Sequence, residues 1–396
     1  SVWIGTLGKG VLRFPSQNFV YYDVSTGIMS DLILTIKADK SGEMWFGSFD
    51  QGVFKRDVKG FKSIYQDVDN HIWSSIFNVD NSKWFGSDYG LIQVQSEKVN
   101  RIFYKEDGLA SDAVTSLYKL NESSMIVGGT NGFSFYSKGK FTFFQASKSI
   151  GIVRDFEIIG ESLFSATSKG LYKKVGNSII KIDNLDKPVS CIEIDDHNNL
   201  WVGTEEGLFI YNEEGFSRVY FSNLPSSNLI NFLNHKGEDL YIGTNNGLYI
   251  IYNYEVDKDL SFSYYGIGEG LVDIETNLNS DYFYKDDFFW FGTSSGLVRF
   301  DYHNAKKSKV SPVLNLKSIL LNYSKSELLK FSTVKNGMPT NINLPYNKNN
   351  LAFEIDGVSL SNHDNLSYQF RLIGLDNDWS PLSKNSVISF TGLGAR

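Results

Sequence analysis

Leu200-Trp201-Val202-Gly203-Thr204-Glu205-Glu206-Gly207-Leu208 is the clearest copy of a phrase that the chain repeats. The phrase is an aromatic, an apolar residue, a glycine, a small residue, a short polar stretch, a second glycine and an apolar residue. Its relatives begin at Trp3, Trp45, Trp84, Ile126, Phe164, Tyr241 and Trp290, which makes eight copies in 396 residues. The first small residue of each core is Gly5, Gly47, Gly86, Gly128, Ala166, Gly203, Gly243 and Gly292. The steps between them are 42, 39, 42, 38, 37, 40 and 49 residues. A period near 40 residues over three quarters of a chain marks an array of stacked supersecondary units.

The columns of the repeat can be read physically. Five of the seven tryptophans (Trp3, Trp45, Trp84, Trp201 and Trp290) stand two residues before the core glycine, a position suited to a large plug between stacked sheets. The second glycine follows a polar pair such as Asn245-Asn246 or Ser294-Ser295, which predicts a tight hairpin with glycine at positive φ. Fourteen residues before the anchor stand Ile33, Ile72, Val114, Ile152, Val189, Leu229 and Leu278. Twelve before it stand Thr35, Ser74, Ser116, Arg154, Cys191, Asn231 and Ser280. An aliphatic column two residues from a largely small and polar one predicts a strand at a crowded centre. Aromatic-rich segments such as Lys140-Phe141-Thr142-Phe143-Phe144 supply a fourth strand. Four antiparallel strands per unit of about 40 residues make the blade of an all-β propeller.

The chain begins on a second strand, so eight hairpins meet only seven upstream strands. The expected architecture is a seven-bladed β-propeller over residues 26–303. Residues 1–25 would supply a partial blade and a closing outer strand, because an eight-bladed ring would leave an unpaired edge. After a linker at 304–311 the period stops. Segments such as Val313-Leu314-Asn315-Leu316, Leu351-Ala352-Phe353-Glu354-Ile355 and Tyr368-Gln369-Phe370-Arg371-Leu372 alternate instead. They predict a small Ig-like β-sandwich over 312–396, cut short at its end, with Trp379 buried at a strand-to-turn corner. The chain opens inside a repeat, so further residues are expected before it.

Formal net charge is -7, with 38 basic and 45 acidic residues interspersed, which argues against a nucleic-acid grip. The single cysteine, Cys191, rules out an internal disulfide framework and a multi-cysteine zinc site. The histidines His71, His197, His235, His303 and His363 fall in different units without metal-ligand spacing, so neither a metal nor a cofactor is expected. No nucleophile elbow, phosphate loop or dinucleotide fingerprint occurs, and no catalytic residue is assigned. Asp39 and Asp195 each precede a core tryptophan by six residues and read as turn-capping aspartates, while His197 and His235 read as turn residues.

These residues carry a resemblance. Leu200-Trp201-Val202-Gly203-Thr204 with Gly207-Leu208-Phe209-Ile210-Tyr211, preceded by Asp195, resembles the regulator-propeller repeat of bacterial two-component sensors. Gly108-Leu109-Ala110-Ser111-Asp112-Ala113-Val114 is similar to that family's join between blades. Asn350-Leu351-Ala352-Phe353 and Gly374-Leu375-Asp376 with Trp379 resemble the triple-tyrosine domain that follows such propellers. The resemblance implies a periplasmic sensor region of an inner-membrane protein, dimerising through the sandwich and coupled by a membrane helix outside this chain to a kinase or transcriptional output. The ligands it implies are oligosaccharides. A secreted propeller lyase or glycosidase and a protein-interaction scaffold stay open as alternatives.

Ligand contacts are expected on loops at the inner-strand end of the ring. Arg154 departs from a column of small residues, and its guanidinium could hold an acidic sugar or pair with Asp155. Around it, Asp31, His71, Trp73, Asp112, Asn228, Asn231, Glu275 and Asn277 precede or begin inner strands.

Overall fold

The computed structural model describes residues 2–8, 10–14, 18–57, 59–183, 185, 187–212, 215–219, 229–252, 254, 261–285, 288–305, 313–335, 337–345, 347–358, 366, 368–374, 378–381 and 383–393. The chain divides into two compact units, one of Ser16–Lys306 and one of Ser1–Pro15 with Lys307–Arg396.

In the larger unit the described residues form seven four-stranded antiparallel sheets. Blade 1 runs Ile33–Ala38, Met44–Ser48, Val53–Asp57 and Gly60–Tyr65 from the centre outwards. The innermost strands of blades 2 to 6 are Ile72–Val79, Val114–Asn121, Val153–Ile159, Val189–Ile194 and Ile230–Lys236. Blade 7 has Thr276–Tyr284 innermost, then Phe288–Thr293 and Gly296–Phe300. Its outer strand is Phe19–Tyr22, paired antiparallel from Phe19 opposite Phe300 to Tyr22 opposite Leu297. Each innermost strand neighbours the next, and that of blade 7 neighbours that of blade 1, so the ring is closed. The first copy of the repeat lies outside it, as a two-stranded hairpin of Val2–Thr6 and Gly10–Phe14.

The core glycines are set by approach between blades. A Cβ on Gly47 would stand 2.4 Å from Cγ2 of Ile72 in the next blade, and one on Gly203 2.7 Å from Cγ2 of Ile230. The aromatic column fills the space between sheets, with Trp45, Trp84, Trp201 and Trp290 all buried. Asp39 and Asp195 cap their turns through Oδ1 and accept from the indole Nε1 of Trp45 and Trp201 through Oδ2, at 3.1 and 2.9 Å. The small polar column ties blades together. Ser116 Oγ donates to Val153 O at 2.9 Å and Ser280 Oγ to Ile33 O at 2.7 Å.

Two columns read from fixed spacing shift by one residue. Strand pairing slips just after the first residue of each innermost strand, leaving Leu34, Trp73, Thr115, Arg154, Ser190 and Asn231 as bulges. In blade 4 the turn Gly160-Glu161 closes with only that one bulge, so its first two strands are one residue closer in sequence. Val153, fully buried, therefore takes the aliphatic position expected for Ile152, which is 38% exposed. Asp155, not Arg154, pairs with Ala166 and occupies the small polar column. Blade 6 shortens in the same way, replacing Leu229 by Ile230 and Asn231 by Phe232. In blade 7 four residues, 277–280, bulge between the paired Thr276 and Asp281. His235 also departs from expectation, lying within an innermost strand and not in a turn.

The smaller unit holds one antiparallel sheet of Val313–Leu321, Leu351–Val358 and Val387–Phe390, the hairpin Thr333–Lys335 with Met338–Thr340, and the helix Lys325–Leu329. Ile319, Leu321 and Leu328 form its buried core. Within the expected strand 368–372, Tyr368 forms a bridge with Ser383 and Phe370 O accepts from Ser380 N at 2.8 Å. Trp379 is 56% exposed, contrary to expectation, and the Arg371 guanidinium lies 5.3 Å from its ring centroid.

Candidate ligand-binding face

The first residue of each innermost strand pairs with the last of the second strand, as Ile33 does with Ser48 and Ile72 with Ser87. The central hairpin turns and the loops entering the blades therefore share one face of the ring. The expected site residues mostly serve architecture there. Asp31 and Asp112 each accept from a backbone N–H of a 3-10 turn, Val24 and Lys105, at 2.8 Å. Asn231 donates to Thr276 O at 2.7 Å, and Asn277 bridges Ile33 O and Thr293 O. Glu275 is exposed, with its carbonyl accepting from Ser294 N at 3.0 Å. Asn228 lies outside the described residues.

His71 and Trp73 behave differently. His71 Nδ1 lies 2.6 Å from Asp88 Oδ2, and Trp73 Nε1 donates to Asp88 Oδ1 at 2.6 Å. Phe49 stacks on the imidazole at 3.7 Å between centroids, and the indole meets the same ring edge-on at 5.6 Å. Beside them Tyr89, whose N–H donates to Asn70 Oδ1 at 3.2 Å, is 59% exposed. One carboxylate thus fixes two rings, and the aromatic edge of blades 1 and 2 is set out before any ligand arrives.

Arg154 is separate from this group. Its Nη1 lies 3.5 Å from Val189 O, and among the described residues it forms no ion pair with Asp155 or another acid. Its own carbonyl accepts from Asn279 Nδ2 of blade 7 at 2.8 Å, so the blade 7 bulge reaches across the centre of the ring. Beyond it a group of carboxylates gathers. Asp155 Oδ2 accepts from Ile192 N, Asp281 Oδ2 from Asn234 Nδ2, and Glu193 Oε1 meets His235 Nδ1 at 2.6 Å. These groups are partly buried around the centre of the ring, and desolvation there pushes Asp155 and Asp281 up to about 7 and Glu157 up to about 9. Repulsion from Glu193 and Asp155 adds to the rise at Glu157. The hydrogen bond to Glu193 raises His235 in turn. Among the described residues no group of three or more potential ligands is arranged to hold a metal ion.

The two-component regulator propeller family model matches residues 185–206, the stretch that begins before the strand of Val189 and ends in the turn before Gly207. That stretch is similar to a two-component regulator propeller repeat. A histidine kinase of Formosa agariphila, P4, is 22% identical over 98% of the chain, which spans 28% of that protein. The extracellular domain of a hybrid two component system from B. thetaiotaomicron superposes with a TM-score of 0.70 at 16% identity. The match covers 99% of the chain and 56% of that structure. A virginiamycin B lyase from Staphylococcus aureus is similar in fold, with a TM-score of 0.55 at 11% identity over 72% of the chain and 98% of the lyase. The chain thus spans under two thirds of that kinase and of that extracellular domain. Among the described residues no helix is long and apolar enough to cross a membrane.

The 40-residue repeat also provides an internal comparison. Its seven hairpin turns in the ring carry Phe49-Asp50-Gln51, Asp88-Tyr89, Thr130-Asn131, Ser168-Lys169, Glu205-Glu206, Asn245-Asn246 and Ser294-Ser295. Only the first two contain an aromatic residue. Phe49, Asp88 and Tyr89 were therefore visible in the sequence as exceptions, whereas the central carboxylates depend on a strand register that the sequence alone misassigns.

Proposed function

We propose that this chain is the ligand-sensing region of an extracytoplasmic bacterial receptor of the two-component type. It binds glycan fragments without turning them over and signals through its C-terminal unit, by way of a membrane segment outside the chain, to a kinase or transcriptional output. The observation that carries the reading is the joint one: a closed ring of regulator-propeller blades followed by a second small unit, with both parts matched in the extracellular domain of a hybrid two component system. The histidine kinase relative supports the same reading. In this scheme the ligand acts by its differential affinity for two arrangements of a dimer that forms through the C-terminal units.

The test is a thermal-shift and calorimetric screen of the purified chain against oligosaccharides, with product analysis of every mixture. Saturable binding with unchanged oligosaccharides is the expected result. Cleaved or unsaturated products would replace the reading with a propeller lyase or glycosidase, for which the His71–Asp88 pair is an acid-base arrangement on this face.

A further inference from the structure

We infer that Phe49, Trp73 and Tyr89 form a stacking platform for a saccharide ring that is uncharged or amine-bearing, and that Asp88 is its polar anchor. This rests on the glycan-sensing reading and specifies where on the ring the sugar sits and which charge it carries.

The repeat supplies the first argument, because each blade is a control for the others. The hairpin turn folds in blades 3 to 7 with pairs such as Thr130-Asn131 and Asn245-Asn246, so its geometry needs no aromatic side chain. Blades 1 and 2 nevertheless place Phe49 and Tyr89 there, 38% and 59% exposed. The bulge on the innermost strand is likewise made with Leu34, Thr115, Ser190 or Asn231, yet blade 2 uses Trp73. Single exposed apolar residues are ordinary. Phe49 and Tyr89 in the turns of two adjacent blades, with Trp73 on the bulge of the second, are three aromatic exceptions, and Phe49 and Trp73 are joined through one His71–Asp88 hub; together they form a surface that the fold does not require.

Chemistry supplies the second. Aromatic faces bind the C–H face of a pyranose by dispersion and by their negative quadrupole, and rings held in place lose little entropy on binding. Phe49 and Trp73 both pack against the imidazole of His71, which Asp88 holds at 2.6 Å. A carboxylate has about four acceptor directions. Trp73 Nε1 and His71 Nδ1 take two of them, leaving others to accept from a sugar hydroxyl or an ammonium.

Charge decides the class. Residues 48–51, 66–73 and 87–89, which build the platform, contain Asp50, Asp67, Asp69 and Asp88, with His71 as the one basic side chain. A uronate or sulfated sugar would be repelled there, whereas a neutral ring would not and an ammonium would be attracted. The guanidinium of Arg154, which would suit an acidic sugar, belongs to blade 4.

The experiment titrates the whole chain with three oligosaccharide sets: neutral gluco-, xylo- and galacto-oligosaccharides, chitosan oligomers, and oligogalacturonates with sulfated disaccharides. Calorimetry and tryptophan fluorescence read binding. A neutral or amine-bearing sugar is expected to bind with a fluorescence change. Tyr89→Ala and Phe49→Ser should each weaken it about tenfold, the equivalent of about 1.4 kcal/mol, at unchanged melting temperature. Arg154→Ala should leave binding intact. Binding confined to acidic sugars, or binding that Tyr89→Ala and Phe49→Ser leave untouched, overturns the platform while preserving the sensor reading. If no saccharide of any charge binds, the sensor reading fails and takes the platform with it.

Discussion

Gly47 of blade 1 lies under Ile72 of blade 2 so closely that a Cβ would stand 2.4 Å from the isoleucine Cγ2 and 2.7 Å from Thr35 Cγ2. Blade spacing is therefore set by a missing side chain. Gly47→Ala should force neighbouring sheets apart or strain their side chains, lowering stability by about 1–3 kcal/mol. Chemical denaturation against the wild type checks this. Gly5→Ala is the paired control, since nothing lies within 4 Å of its added Cβ.

The carboxylates at the centre of the ring make stability depend on pH in an unusual direction. Asp155, Glu157 and Asp281 have folded-state values above their ordinary ones, so the folded protein binds more protons than the unfolded chain. Their contribution is fully present below about pH 4. It is lost as pH rises through about 7 for the two aspartates and about 9 for Glu157. His235, raised by Glu193, acts in the same sense, while Lys37 opposes the rise at Asp281. The melting temperature should fall between pH 6 and pH 9, and Glu157→Gln should flatten that slope. A melting temperature that climbs across the interval in the wild type would refute the assignment.

Asp195 is 3% exposed and serves both the turn and the tryptophan column. Asp195→Ala should cost about 1–3 kcal/mol, because it leaves Trp201 Nε1 and two backbone N–H groups without their acceptor. Asp195→Asn, which keeps an oxygen acceptor, should cost less. Equal losses in urea denaturation of the two variants would point to packing instead.

Phe19 stacks on Phe300 at 4.7 Å and edge-on against Tyr265 at 5.7 Å, while Tyr21 Oη donates to Gly270 O and accepts from Val272 N. Phe19→Ala should lower stability by about 3–5 kcal/mol. Protection from hydrogen exchange should drop first in Gly296–Phe300, the strand that Phe19–Tyr22 covers. Uniform loss around the ring would show that closure is not local.

The blade and its hairpin were legible because each column repeats: glycine, tryptophan and the polar turn recur often enough to override local ambiguity. The register of the innermost strands was not, because a bulge gained or lost leaves no fixed residue type behind. That one-residue error put Arg154 in a column that belongs to Asp155 and obscured the carboxylates around it. Of the expected site residues, His71 and Trp73 converge on one carboxylate, whereas Asp31, Asp112, Asn231 and Asn277 are occupied with the backbone. Polar residues at loop ends satisfy turns far more often than they face solvent unpaired, so residue type alone does not separate the two roles.

The outer strand of blade 7 also fixes the order in which the molecule is made. Phe19–Tyr22 emerges from the ribosome long before its partner Gly296–Phe300, so six blades can assemble from local hairpins while the first strand waits. The free-energy cost of that wait is small, since each doubling of a loop adds only about 0.6 kcal/mol. Its cost in time is expected to be larger, because pairings of great sequence separation form slowly. Until then the nascent protein is an open arc with a bare sheet edge at blade 7.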